Sequence, residues 1–248
     1  MNICLFTEEE IGRPLLAGDG RNAHIVRVLR KKEGDSFDAG IIGKSAGKAT
    51  ITTIDENGSI FFDFEPRSDG KPLHPLTLIV GFPRPIQLKR RLRDVAGLGA
   101  QKIILTGTEL TEKSYLDSNV ISGGSAERML LDGTVQAAST HVPKLVVRRT
   151  LSETLRSDCA DGTDALVALD NRRATLSLRA WLKTLSDWAD ERPVVAAIGS
   201  ERGWTERERD ALEGAGFALC SMGTRVLRTE TAATAACALI LDALGCLG

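Results

Sequence analysis

The stretch MGTRVLRTETAATAACALILDAL, beginning at Met222, places a glycine, two arginines, a glutamate and two threonines directly before an almost purely apolar, alanine-rich run. A helix that only fills a core needs one capping residue. Thr229 or Thr231 can supply that cap, and Glu230 in the first turn suits the positive end of the helix dipole. Arg225 and Arg228 are not explained this way, because cations are unfavourable at that end unless an anion or carboxylate compensates them. The segment therefore reads as a loop that holds a ligand. A second stretch, IGSERGWTERE from Ile198, runs from an apolar strand through a glycine-bounded turn into a helix. Thr205 and Glu208 make a T-x-x-E capping box. Gly199 and Gly203 stand where backbone turns tightly or approaches a bound molecule. Taken alone, this loop is equally a plain turn.

The elements that must position these loops follow from the hydrophobic pattern. LTLIVGF, KIILTG, ALVAL, PVVAAIG and FALCSMG are short apolar runs, mostly without alternation, separated by helical segments such as IQLKRRLRDVAGLG and LSLRAWLKTLSDWA. Such runs predict an α/β fold with a parallel sheet covered on both faces, whose ligands lie beyond the carboxyl ends of the strands. Residues 1–72 are instead rich in short strands. KATITTIDENGSIFFDFEP, with Asn57-Gly58 between two β-prone runs, predicts a hairpin with a type I′ turn. EGDSFDAGIIG and GKSAGKA add short strands, and RNAHIVRVLRK has helical spacing. Together they predict a small barrel. PRSDGKPLHP, residues 66–75, reads as the linker, giving an expected division into domains 1–72 and 73–248.

Composition narrows the function classes. The chain has 248 residues, 42% hydrophobic and 26% charged, with a formal net charge of −1. That balance suits a globular protein and leaves room for a local basic patch on nucleic acid. Cys4, Cys159, Cys220, Cys237 and Cys246 have no C-x-x-C spacing, so no metal site and reduced thiols in a cytoplasmic protein are expected. MNICLFTEEEIG turns acidic at once, unlike an export signal, and AATAACALILDAL is too short for a membrane span. Neither G-x-G-x-x-G nor G-x-x-x-x-G-K-[ST] occurs at a strand-to-helix turn, which argues against dinucleotide and P-loop binding.

IGSERGWTERE followed by MGTRVLRTETA resembles the paired C-terminal motifs of the RsmE-type ribosomal RNA methyltransferases, which belong to the SPOUT class. The second motif stands almost intact as Gly223, Arg225, Val226, Leu227, Arg228, Glu230, Thr231 and Ala232, and HIVRVLRKKEGD is similar to the family's N-terminal signature. The resemblance implies a SPOUT-type parallel sheet with a C-terminal trefoil knot, preceded by a small PUA-like β-barrel domain for RNA recognition. It implies transfer of a methyl group from S-adenosyl-L-methionine to N3 of a uridine in 16S rRNA of the small ribosomal subunit, by a homodimer. The backbone around Ile198, Gly199, Glu201, Met222, Gly223, Val226, Leu227, Arg228 and Thr231 would cup the cofactor. Arg228 would stabilise the developing uracil anion, with Glu230 as orienting partner or base; alternatively the two pair with each other and fix the loop. Glu201 either supports the pocket or caps the helix near Thr205.

The chain also departs from the family pattern. Ser200 and Arg202 replace a proline and a glycine, Gly97 replaces a glutamate, and Val135 and Ser139 replace an acidic and a basic residue. Arg202 requires a backbone angle that a side chain tolerates, or an altered loop. Two basic groups are candidates for RNA phosphates: Arg21, Arg27, Arg30 and Lys31 in the first domain, and Arg84, Lys89 and Arg90 in the second, beside Arg91 and Arg93. On one helix these last charges cannot share a face, so some are merely exposed. SYLDSNVISGGSAERM, residues 114–129, is expected to be a loop near the cofactor or RNA. The alternatives are a knotted methyltransferase acting on another rRNA or tRNA nucleotide, and a non-catalytic RNA-binding protein.

Overall fold

A computed structural model describes residues 2–116, 123–159, 164–185 and 193–247. The chain divides into two compact units, Met1–Pro72 with Leu131–Val142, and Leu73–Leu130 with Pro143–Gly248. The division is therefore not contiguous: the sequence pattern gave no sign that Leu131–Val142 returns to the first unit.

In the first unit β1 (Cys4–Phe6), β2 (Ser36–Ile41), β3 (Ala46–Ile54) and β4 (Ile60–Ser68) form one sheet in that order. β1 pairs parallel with β2, and the other pairs are antiparallel. α1 (Gly20–Ala23) continues into a wide π-helical turn, His24–Val28. Alternate side chains enter the core, where Phe37, Ala39, Ala49, Ile51, Ile60 and Phe62 gather around Phe6. The Phe6 and Phe62 rings lie 4.8 Å apart between centroids. The expected barrel is an open sheet: among the described residues β1 and β4 do not pair, and an isolated Leu15–Ile60 bridge borders β4. The hairpin is present but its turn differs. Gly58 has φ +79° while Asn57 does not take positive φ, so the turn is not type I′. Asp55 Oδ1 instead accepts from the N–H groups of Asn57 and Ser59, an Asx-type arrangement across a longer connection.

The second unit follows a shorter linker than expected, because β4 runs to Ser68 and β5 begins at His74. From there the chain runs through β5 (His74–Gly81), α2 (Pro85–Gly97), β6 (Ala100–Thr106), α3 (Lys113–Leu116), α4 (Ser125–Gln136), β7 (Lys144–Arg148), α5 (Leu151–Asp158), β8 (Ala165–Leu169), β9 (Leu176–Ser177), α6 (Leu178–Leu185), β10 (Val194–Ile198), α7 (Glu206–Gly214), β11 (Ala218–Ser221) and α8 (Thr229–Ala243), with only the second half of α4, from Leu131, counted in the first unit. The sheet order is β7-β6-β5-β10-β8-β11-β9, and every pairing is parallel. All of β10 is buried, as a strand covered on both faces must be. On one side of the sheet Ile79, Ile104, Val195, Ala197 and Leu219 pack with Trp204, Leu212 and Phe217.

Two helices matter most for the site. α2 starts with Pro85 at its first turn and buries Leu88, Arg91, Leu92, Val95 and Ala96 along one stripe. It packs against α8, which also packs on β5 and β10. Ala233 and Ala236 permit that approach, being small and fully buried. Residues 117–122, part of the expected loop 114–129, lie outside the described residues. The rest of that stretch contains the end of α3 and the start of α4.

Candidate functional site

β10, β8 and β11 are neighbours in a parallel sheet, so the loops that follow them emerge at the same end. Those loops, 170–173, 199–204 and 222–228, enclose a cavity of about 510 Å³, within the range of small-molecule sites. Ile198, Gly199, Glu201, Met222, Gly223, Val226 and Leu227 line it. The two motif segments thus meet in one cup. Arg228 and Thr231, also expected at the cofactor, do not line it, whereas Thr229 and Ala232 do. Leu169, Asp170, Asn171 and Arg172 form a third wall that the motif reading missed. Its signal was present, since this loop too follows the carboxyl end of an apolar strand.

Local structure explains how each wall holds its shape. Ser200–Gly203 is a tight turn closed by a bond from the Gly203 N–H to the Ser200 carbonyl, 2.9 Å. The positive φ of that turn, +75°, falls on Gly203, so Arg202 sits in ordinary backbone and its substitution leaves the turn possible. A Cβ on Gly199 would lie 2.9 Å from the Gly203 carbonyl carbon, which is why no side chain fits there. The Trp204 indole N–H donates to the Leu169 carbonyl at 3.1 Å, tying the second wall to the third. Thr205 and Glu208 form the expected capping box: Thr205 Oγ1 accepts from the Glu208 N–H, and Glu208 Oε2 from the Thr205 N–H.

Glu201 does not cap that helix. Its Oε1 accepts from the Arg84 N–H at 3.0 Å, at the start of α2, where a carboxylate is favoured. The final helix also differs from expectation. Arg228 is its N-cap residue and makes no side-chain cap, so neither Thr229 nor Thr231 caps it. Glu230 pairs with Arg91, Nη2 to Oε2 at 3.7 Å, and no ion pair joins Arg228 to Glu230 among the described residues. Arg228 is exposed.

Asp170 is the most heavily engaged group of the third wall. It is 7% exposed, and its Oδ1 accepts from Arg209 Nε at 3.0 Å while Oδ2 accepts from the Arg172 and Arg173 N–H groups. Burial opposes its ionisation, but the Arg173 N–H, the Arg209 guanidinium and the Arg172 N–H together hold its carboxyl below the usual range. Cys220 lines the cavity as well, yet burial pushes its thiol up to about 11, so it is protonated at neutral pH and is no nucleophile.

The basic candidates separate by environment. Arg21 is not free for RNA. Its guanidinium bonds Glu10 and Asp19, donates to the Leu5 carbonyl and stands 5.0 Å over the Phe6 ring. Arg27 and Arg30 are exposed and Lys31 is half-buried. Arg30 has φ +55° and ends the π-helical turn, with the Lys31 N–H reaching the Ile25 carbonyl. Arg84, Lys89 and Arg90 are exposed on or beside α2, and Arg90 faces Asp94 at 3.9 Å. Arg91, named beside them among charges that cannot all share one face, is not exposed but buried, at 1%. Among the described residues no helix is long and apolar enough to cross a membrane, and no group of three or more His, Cys, Asp or Glu could hold a metal.

A parallel α/β unit carries a loop-built cavity at the carboxyl ends of its strands, the usual place for a ligand in such a sheet, and is joined to a small β-sheet unit. Residues 69–241 match the RNA methyltransferase domain and residues 23–63 the RNA methyltransferase PUA domain. The chain is 42% identical to ribosomal RNA small subunit methyltransferase E of Treponema pallidum, over 97% of this chain and 91% of that protein. It is 33% identical to ribosomal RNA small subunit methyltransferase E 1 of Borreliella burgdorferi, over 95% of each. Its fold matches the crystal structure of the Neisseria gonorrhoeae methyltransferase E bound to S-adenosyl methionine, with TM-score 0.76 at 22% identity, covering 98% of this chain and 97% of that one. The chain belongs to the RsmE family of SPOUT-class RNA methyltransferases.

Proposed function

We propose that this chain methylates N3 of a specific uridine in 16S rRNA of the small ribosomal subunit, with S-adenosyl-L-methionine as methyl donor. The observation that carries the reading is the meeting of residues 198–204 and 222–229 around one cavity. Its residues fit the donor. Leu169, Ile198, Val226 and Leu227 offer apolar walls for an adenine, and the glycine-bounded turns leave main chain free to hydrogen-bond its edge. When bound, S-adenosylmethionine supplies an electrophilic methyl group. Related structures carry such a donor: the Neisseria gonorrhoeae protein is described as bound to S-adenosyl methionine.

The chain's own residues must then deal with uracil. N3 carries a proton and is a poor nucleophile until that proton leaves. Arg228, exposed beside the cavity, is assigned to stabilise the anion that develops on the base. Glu230, in the first turn of α8 and partly exposed, is assigned as orienting group or base. Thr231 and Arg228, outside the cavity lining, are kept at its edge rather than as cofactor ligands.

RNA contact is assigned to Arg27, Arg30 and Lys31 on the first unit, and separately to Arg84, Lys89 and Arg90 on the second. A C-terminal trefoil knot fits the strand order, in which β10 lies between β5 and β8. A homodimer fits the apolar side chains left open on the second unit: Ile86 is 81% exposed and Leu239 48%. The test is 16S rRNA from a strain lacking this gene, mapped for a missing N3-methyluridine and re-methylated by the purified protein. Restoration of one modified uridine on assembled subunits supports the reading. Modification of another rRNA or tRNA nucleotide replaces the substrate, and S-adenosylmethionine binding without any modification rejects catalysis.

A further inference from the structure

Arg91 is a buried charge close to the site that the proposed reaction leaves unused, and unlike Asp170 and Arg209 it makes no hydrogen bond through its side chain. It lies on the inward stripe of α2, three residues after Leu88 and beside Leu92, and is 1% exposed. Its Nε, Nη1 and Nη2 are buried and make no hydrogen bond. Its ion-pair partner is Glu230, 3.7 Å away at the first turn of α8. The field of Glu201 also reaches it, and both carboxylates oppose the effect of burial, which lowers its hold on the proton. One turn earlier on the same helical face, Gln87 Oε1 is a buried acceptor that is likewise without a partner. Unused donors on Arg91 and an unused acceptor on Gln87 therefore lie one turn apart on α2.

Stability does not account for this arrangement. A buried guanidinium without hydrogen bonds is costly, and an apolar side chain of similar length is commonly as stable or more so. What distinguishes Arg91 is the origin of the two carboxylates around it. Glu201 comes from the first motif segment and Glu230 from the second. At 3.7 Å the Glu230 contact is electrostatic and lies outside hydrogen-bond range, so it can shorten when the site is loaded.

We infer that Arg91 is a positioning residue for methyl transfer: one buried cation that sets the Glu230 carboxylate and links it to the Glu201 segment. Arg91 does not line the cavity, and neither does Glu230, which follows the lining residue Thr229 in the first turn of α8; Arg91 acts through that carboxylate. The inference rests on the methyltransferase reading and deepens it.

The experiment compares wild type, Arg91→Met, Arg91→Lys, Glu230→Gln and the Arg91→Met/Glu230→Gln double variant by thermal melting, calorimetry with S-adenosylmethionine and steady-state methylation of small subunits. Arg91→Met should melt at or above the wild type and bind S-adenosylmethionine within about twofold. Its kcat should fall about tenfold or more with a much smaller change in KM for RNA. Arg91→Lys should recover most of that loss, and Glu230→Gln should cost little more on the Arg91→Met background. An Arg91→Met variant with wild-type kcat overturns the inference. So does one that melts lower and loses activity in proportion without rescue by Lys, or one whose loss simply adds to that of Glu230→Gln. A wild type that neither binds S-adenosylmethionine nor methylates any RNA rejects the methyltransferase reading itself, and this inference with it.

Discussion

Asp170 shows how much of the site rests on single ionised groups. Its carboxyl is held below the ordinary value of 3.8 in the folded chain. The stability it contributes is therefore fully present above that ordinary value and lost as pH falls through the lower folded one. Asp170→Asn should cost about 1.5–3 kcal/mol near neutral pH, because charge-assisted bonds to Arg209 and two N–H groups weaken. Thermal melts taken between about pH 6 and about pH 2 should show a flatter acid limb for this variant than for wild type. Other depressed carboxylates, Glu10 and Asp19 among them, keep part of that limb in both proteins. An unchanged limb would remove Asp170 from the acid-sensitive set. The sequence made the glycine-bounded turn and the second motif legible at this scale, but not the pairings. Arg91 sits in a run of cations that looks solvated, and only its place in the Leu88, Leu92, Val95 stripe marks it as inward. Arg21 likewise looks free until the fold brings Glu10 and Asp19 to it.

Elements were legible in proportion to their burial. The five apolar runs lie in the interior of the seven-stranded sheet, where both faces are covered and the pattern is continuous. The strands that the pattern did not disclose, β7 and β9, are its two edges. β7 is half-exposed and β9 has two residues, so neither carries a run long enough to read. Helix starts were legible where a side chain does the capping. Thr205 and Glu208 do so for α7, whereas α8 begins at Arg228 without a side-chain cap and α2 borrows Glu201 from a distant loop. A cap supplied across the fold leaves no local sequence signal. Thr205→Ala should cost about 1 kcal/mol and lower the melting temperature by about 2–4 °C. A similar Thr→Ala change at Thr231, which caps nothing, should leave the melt unmoved. Equal losses at both positions would contradict the assignment of the caps.

In the proposed function the second unit holds the cofactor in its cavity, and the cations Arg27, Arg30 and Lys31 around the π-helical turn of the first unit meet RNA. That division makes RNA binding and cofactor binding separable by mutation. Replacing Arg30 and Lys31 with Ala should weaken binding of small-subunit rRNA and lower its dependence on salt by roughly two phosphate contacts, while calorimetry with S-adenosylmethionine is unaffected. Unchanged RNA affinity would remove this patch. Arg21→Ala should instead lower stability, since it releases Glu10 and Asp19 and uncovers Phe6. The return of Leu131–Val142 to the first unit, by contrast, is a property of tertiary packing and has no counterpart in the local pattern. The central claim is that three loops at one end of the sheet, 170–173, 199–204 and 222–228, close on a single methyl donor. Amide hydrogen exchange with and without S-adenosylmethionine tests it most directly. The account predicts slowed exchange in all three loops together, with the β-strands of the first unit unchanged. Protection confined to one loop, or appearing elsewhere in the chain, would contradict it.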